Sequence, residues 1–352
     1  MERIRQYDYI RVVVTLLVVL GHSTYYEMLT KYGGCSYVEY VNNLSIVFEI
    51  TRVITTTIYM FHMELFMALS GALFYITYEK GITFNELVVK KAKRLLLPFI
   101  IVTMCYSVPL KYISGYYKES QSIIRDVIIG QVFIQGNTHL WFLLALFLIF
   151  IVVYTLEKDI AWNMSVKLMV LAVLSILSRK IDIVIISVVM KYTFWFYVGY
   201  CFEKHREKID KKINVSFLFK VLFVTGIISV IYFYLSGFDY FICKGIKTII
   251  KVGLSSLLCL CVYAISVIRS RKMERGGKLY DLLLRDSFGI YLYSDSWNYL
   301  ILLWGTSFFK TAIFATDIGA GIFYVTRFLI TLMVSIFVTE MIRKCKTIKY
   351  LY

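Results

Sequence analysis

Ten apolar runs constrain this chain more than any other feature of its sequence. They fall at Tyr9–Met28, Val53–Tyr78, Leu95–Ser114, Leu140–Leu156, Val166–Leu177, Val184–Phe202, Ser216–Leu235, Cys243–Ile265, Phe288–Trp304 and Ile322–Ile342. A helix needs roughly 20 apolar residues to cross the hydrocarbon core. Lipid offers the backbone no hydrogen-bond partners, so such runs must close their bonds internally as helices. The fifth run is short. A further run, Val41–Phe48, suits a separate helix lying in the outer interface.

Composition agrees. The chain is 59% hydrophobic and 18% charged, with only two prolines, Pro98 and Pro109. A soluble domain is nearer roughly 45–50% apolar and needs more loops. No Pro-, Gly- or Ser-rich linker, low-complexity tract or internal repeat divides residues 1–352, so one transmembrane domain is expected. The first run lacks a small-residue cleavage site and follows Asp8. It should remain as a helix and not be cleaved as a signal peptide. The seven cysteines are scattered, and Cys259-x-Cys261 is not a zinc spacing. They read as small apolar packing residues, and no metal site is expected.

The formal net charge is +16. In a soluble protein that excess would point to nucleic acid. Here the cations sit in short segments between apolar runs, and topology explains them without a nucleic-acid partner. With the N-terminus inside, the inner segments hold roughly 23 Lys and Arg against 10 outside. The positive-inside rule then predicts both termini in the cytoplasm. The expected fold is an all-α integral membrane protein, a multi-pass bundle of about ten transmembrane helices, N-in and C-in, in the cytoplasmic (inner) membrane.

Ionisable groups inside a membrane are expensive, so each is a functional candidate. The first helix carries Asp8, Arg11 and His22. Eleven residues separate Arg11 from His22, which returns the helix to within about 20° of one face, roughly 16 Å further on. Asp8 and Arg11 stand three apart and can pair. In the second helix, His62 and Glu64 fall about 14 and 16 Å from the outer end, comparable in depth to His22. Glu64, Ala68 and Gly71 share a face with small residues, so a neighbouring helix can approach closely there. If that neighbour is the first helix, Glu64 or His62 would orient His22, as a carboxylate does in a catalytic triad. Packing without chemistry explains Gly71 and Glu64 equally well.

Lys90, Lys91, Lys93 and Arg94 precede the third helix. Four cations in five residues attract phosphates, although a positive-inside anchor needs nothing more. His139-Leu140-Trp141-Phe142-Leu143 opens the fourth helix, where Trp141 also suits an interface. Asp295 should lie roughly 10 Å into the membrane on the ninth helix. Lys191, Arg327 and Glu340 fall nearer span ends, where long side chains can snorkel.

Together these pieces resemble acyltransferase family 3, membrane-bound enzymes that O-acetylate sugars and surface polysaccharides. The opening, Asp8-Tyr9-Ile10-Arg11 through Gly21-His22, is similar to the family's Arg-x10-His helix. Phe66-Met67-Ala68-Leu69-Ser70-Gly71 resembles its Phe-Phe-x-x-Ser-Gly signature, Lys91 to Arg94 its Arg-x-x-Arg loop, and His139 to Leu143 its His-Leu-Trp-Phe-Leu element. Three positions depart: Lys91 replaces the first arginine, Glu64 stands where proline is frequent, and Ser294-Asp295 stands where many members have histidine.

The resemblance implies O-acyl transfer from an acyl-CoA co-substrate, acetyl-CoA above all, to a hydroxyl of a cell-surface glycan or lipid-linked sugar in a bacterial envelope. No permanently bound cofactor is implied. On this reading Lys90, Lys91, Lys93, Arg94 and Arg11 meet the CoA phosphates. His22 acts as general base or carries the acyl group, with Arg11, Asp8, Glu64 and His62 around it. The outer segments Leu29–Arg52 and Tyr112–Thr138 would shape acceptor choice. The sequence leaves a homo-oligomer open. A polytopic transporter of a glycan or small organic acid would use similar buried groups, but it should show repeat-related halves with broken helices, and none is visible.

Overall fold

The computed structural model describes residues 4–30, 32–36, 45–136, 138–235, 237, 241–272, 276–305, 314 and 316–344. Twelve helices account for most of them. They are α1 Arg5–Ser23, α2 Ile46–Tyr78, α3 Phe84–Ile113, α4 Ile123–Val127, α5 Trp141–Asp159, α6 Met164–Leu177, α7 Val184–Lys204, α8 Arg206–Lys212, α9 Val215–Leu235, α10 Phe241–Lys272, α11 Lys278–Leu300 and α12 Asp317–Lys344. A hairpin of β1 (Glu27–Thr30) and β2 (Gly33–Ser36) follows α1, with Glu27 opposite Ser36 and Thr30 opposite Gly33. Gly34, at φ +129°, is obligatory there, because a Cβ would lie 1.9 Å from the Met28 carbonyl oxygen.

The fold is the expected all-α membrane bundle, with a difference in span count. Seven helices among the described residues (α2, α3, α5, α7, α9, α10 and α12) are long and apolar enough to cross a membrane. The other three expected spans coincide with α6, only 14 residues long, and with α1 and α11. Those two carry Arg5, Asp8 and Arg11, and Asp281, Arg285, Asp286 and Asp295. Each of these three helices brings an ionisable group inside the bundle: Asp8 on α1, Lys167 on α6, and Asp286 and Asp295 on α11. Ile46–Phe48 form the first turn of α2, so they do not belong to a separate interfacial helix. Val41–Leu44 lie outside the described residues.

Both prolines are accommodated inside α3. A π turn at Ala92–Leu96 precedes Pro98, and a second at Thr103–Ser107 precedes Pro109. Proline clashes with the carbonyl four residues back, here Arg94 and Cys105. Each of those carbonyls lies in a widened turn, so α3 continues for 30 residues.

α1 runs through the middle, against α2, α10, α11 and α12. The small face of α2 meets α7. A Cβ on Gly71 would lie 1.8 Å from the Phe196 carbonyl oxygen, and one on Gly199 would lie 1.9 Å from that of Ala68. The backbones touch. This corrects the expectation that α1 sits against the Glu64–Ala68–Gly71 face, and it turns Glu64 away from His22. α9 packs chiefly on α10, with only Val221 and Thr225 buried.

Candidate active site

Asp295 of α11 stands between two histidines. Its Oδ1 lies 2.8 Å from Nδ1 of His22, and its Oδ2 lies 3.2 Å from Nδ1 of His139. Asp295 and His139 are buried, whereas the His22 side chain keeps 21% exposure. The other nitrogen of His139, Nε2, donates to the Leu292 carbonyl at 3.1 Å. Nε2 of His22 is thus the ring nitrogen turned away from the carboxylate. Both imidazoles turn Nδ1 toward the Asp295 carboxylate.

His22 and His139 line a cavity of about 400 Å³. Tyr25, Tyr59 and Trp141 supply its aromatic walls, and Glu27 of the hairpin stands at its edge. The Trp141 ring is held by stacking on Tyr192, with centroids 5.4 Å apart and planes at 28°. Aromatic walls with a few polar groups suit a sugar ring, although they also suit other amphipathic ligands.

A second cavity, about 430 Å³, lies along the same helices toward the start of α1. Arg11, Lys91, Arg94, Arg285 and Arg343 all line it. Arg285 and Arg343 both pair with Asp286 and Glu340. Arg11 lies 3.9 Å from Asp8, and the Lys91 ammonium sits over the Phe150 ring at 3.7 Å. Phe66, Phe142 and Tyr291 line it together, with centroids 4.8 Å apart for the first two and 5.8 Å for the last two. The Tyr291 hydroxyl donates to the His139 carbonyl at 2.6 Å. Tyr291 of the cationic cavity therefore touches His139 of the cavity that holds His22.

The structure distributes the expected residues unevenly. Arg11, Lys91 and Arg94 reach the cationic cavity, and Asp8 pairs with Arg11 as its i, i+3 spacing allows. Lys90 and Lys93 are exposed and do not line it. Glu64 faces Lys191 of α7 at 3.6 Å. His62 donates through Nδ1 to its own Ile58 carbonyl at 2.7 Å, and the Tyr59 ring stands between it and His22. The carboxylate beside His22 is Asp295, not Glu64. Nor do Arg327 and Glu340 snorkel: Arg327 is fully buried, and Glu340 is held in the ion-pair ring of Arg285, Asp286 and Arg343. The sequence singles out Asp295 and His139 without giving either a place at the site, and it marks Arg285 and Arg343 only as inner cations. A carboxylate inside a span was the available signal for Asp295, but its partner depends on which helices meet.

An imidazole beside a buried carboxylate, facing a cavity, can take up and release a proton. The described residues hold no cluster of three or more potential metal ligands. This fold and site define a multi-pass membrane protein built around a buried histidine–carboxylate pair. The family model for an acyltransferase domain, that of acyltransferase family 3, matches residues 4–340. The chain belongs to this family of membrane acyltransferases. No curated protein and no solved structure matches it.

Proposed function

We propose that this chain transfers an acyl group, acetyl in the first instance, from cytoplasmic acyl-CoA to a hydroxyl of a glycan or lipid-linked sugar. The observation that carries this reading is the His22–Asp295 pair: His22 lines the aromatic cavity, and the same helix carries Arg11 into the five-cation cavity. Phosphate is the natural partner of clustered Arg and Lys, so the CoA phosphates go to Arg11, Lys91, Arg94 and Arg343. The pantetheine arm then runs past the Phe66–Phe142–Tyr291 wall and brings the thioester to His22. The sugar enters from the cavity of Tyr25, Tyr59 and Trp141. The positive-inside bias puts the cationic end in the cytoplasm of the inner membrane.

The step balances without further reagents. Nε2 of His22 takes the proton of the acceptor hydroxyl as its oxygen attacks the thioester carbonyl. The new C–O bond forms, the C–S bond breaks, and the CoA thiolate takes the proton from the imidazolium. Asp295 stabilises that imidazolium and fixes the ring by its Nδ1 side. General-base help of this kind contributes about 10²–10⁴-fold.

Inverted membrane vesicles given labelled acetyl-CoA test the reading, comparing wild type with His22→Ala and Arg11→Ala. Thioester cleavage that disappears with His22→Ala supports it. Equal turnover in both variants removes His22 from the chemistry, and no turnover in wild type removes acetyl-CoA as the donor. Label retained on His22 in a quenched sample would replace the general-base step with an acyl-histidine.

A further inference from the structure

Arg327 of α12 is the largest wholly buried side chain among the described residues. A guanidinium inside a membrane bundle persists only with fixed partners. Its Nη1 donates to the Tyr25 carbonyl at 2.8 Å and its Nη2 to the His22 carbonyl at 3.3 Å. Its Nε donates to Asn298 Oδ1 at 3.0 Å, and its carbon lies 4.6 Å from the Tyr25 ring centroid.

These contacts converge on the end of α1. The last carbonyls of a helix have no partner within it and carry the negative end of its dipole. α1 ends at Ser23 with a C-cap at Thr24. The carbonyls on either side of that end, His22 and Tyr25, both go to one guanidinium. Asn298 is itself pinned, since its Oδ1 also accepts from Ser23 Oγ at 3.3 Å and Thr331 Oγ1 at 3.4 Å. It stands one turn beyond Asp295 on α11, so it shares that helix face. α11 therefore holds His22 twice: by its imidazole through Asp295, and by its backbone through Asn298 and Arg327. A planar fork can serve three acceptors at once; an ammonium on a flexible stem cannot hold the same geometry.

We infer that Arg327, seated on Asn298, is a positioning residue for His22, clamping the end of α1 so that the imidazole meets Asp295. The inference rests on the reading of His22 as the reacting group only for its effect on turnover. The clamp itself can be read separately. Full-length protein in nanodiscs is treated with diethyl pyrocarbonate across pH, and carbethoxylation of His22 is followed by mass spectrometry, with exposed His205 as the reference. Arg327→Leu, Arg327→Lys and Asn298→Ala are compared with wild type.

The expected result is a changed rate-against-pH profile at His22 in Arg327→Leu, a partial return in Arg327→Lys, and no change at His205. Turnover of labelled acetyl-CoA should fall about 100-fold in Arg327→Leu with KM unchanged, the size of loss that a misplacement of about 1 Å produces. If Arg327→Leu fails to fold, Asn298→Ala decides, because it leaves the guanidinium in place and removes the Oδ1 that seats it and that Ser23 also meets. A His22 profile identical to wild type in Asn298→Ala and in every folded Arg327 variant overturns the clamp. A wild type that modifies normally but never consumes acetyl-CoA removes acetyl-CoA as the donor and leaves the clamp standing.

Discussion

Asp295 holds His22 by one carboxylate oxygen, 2.8 Å from Nδ1, while its other oxygen faces His139 at 3.2 Å. The carboxylate comes from α11 and the two imidazoles from α1 and the segment before α5. Three parts of the chain must therefore pack correctly before any proton can be moved. Asp295→Asn keeps the shape and removes the charge that steadies an imidazolium. In the Ser-His-Asp template the equivalent change lowers kcat about 10⁴-fold. A loss of about 10³–10⁴-fold in acetyl-CoA turnover is expected here, with the protein still folded by gel filtration. Turnover within threefold of wild type would remove Asp295 from the mechanism.

Glu64 and His62 make the converse case. Glu64 meets Lys191, and His62 bonds its own helix backbone behind Tyr59. Glu64→Gln and His62→Gln should each leave kcat within a few-fold of wild type under the assay that silences Asp295→Asn. Loss of kcat in either, in a variant of unchanged melting temperature, would show that the second helix contributes to the chemistry after all.

The sequence made some of this legible and hid the rest for one physical reason. Apolar run length fixes which segments become helices, because the bilayer dictates that length, and helices stand at all ten expected spans. Spacing within one helix is equally legible: Arg11 and His22 on one face of α1, Asp8 within reach of Arg11, and small residues at Ala68 and Gly71 for a close crossing. What spacing cannot show is which helix arrives at a given face. The close crossing at Gly71 belongs to α7, so Glu64 went to Lys191, and the carboxylate for His22 came from α11. Arg327 was misread for the same reason. Near a span end it resembles a snorkelling residue, and only the arrival of α1 and Asn298 makes it a buried clamp.

The cationic cavity divides the basic segment before α3 into two classes. Arg94 lines the cavity, as does Lys91, while Lys90 and Lys93 do not. Hydrogen bonds to charged groups are worth about 1.5–3 kcal/mol, which is about 10- to 100-fold in affinity. Arg94→Ala and Arg343→Ala should raise the KM for acetyl-CoA by that factor at little cost to kcat. Lys90→Ala and Lys93→Ala should leave KM unchanged. Raising the salt concentration should also raise the wild-type KM, because ions screen the attraction between phosphates and cations. Equal KM values for all four variants would place the CoA phosphates elsewhere.

The contact of α2 with α7 sets the platform on which the wall residue Phe66 stands, and two glycines test it. At Gly71 a methyl group would lie 1.8 Å from the Phe196 carbonyl oxygen, a backbone atom that cannot swing aside. At Gly226, within α9, nothing lies within 4 Å of the added carbon. Overpacking of a well-fitted contact costs about 1–3 kcal/mol, and more where backbone must move. Gly71→Ala should therefore lower the thermal unfolding midpoint in detergent by several degrees. Gly226→Ala, which gains helix propensity and meets no atom, should leave the midpoint unchanged or raise it slightly. The reverse ranking of the two midpoints would mean that α2 and α7 do not cross at Gly71, and the position of Phe66 in the lining of the cationic cavity would fall with that crossing.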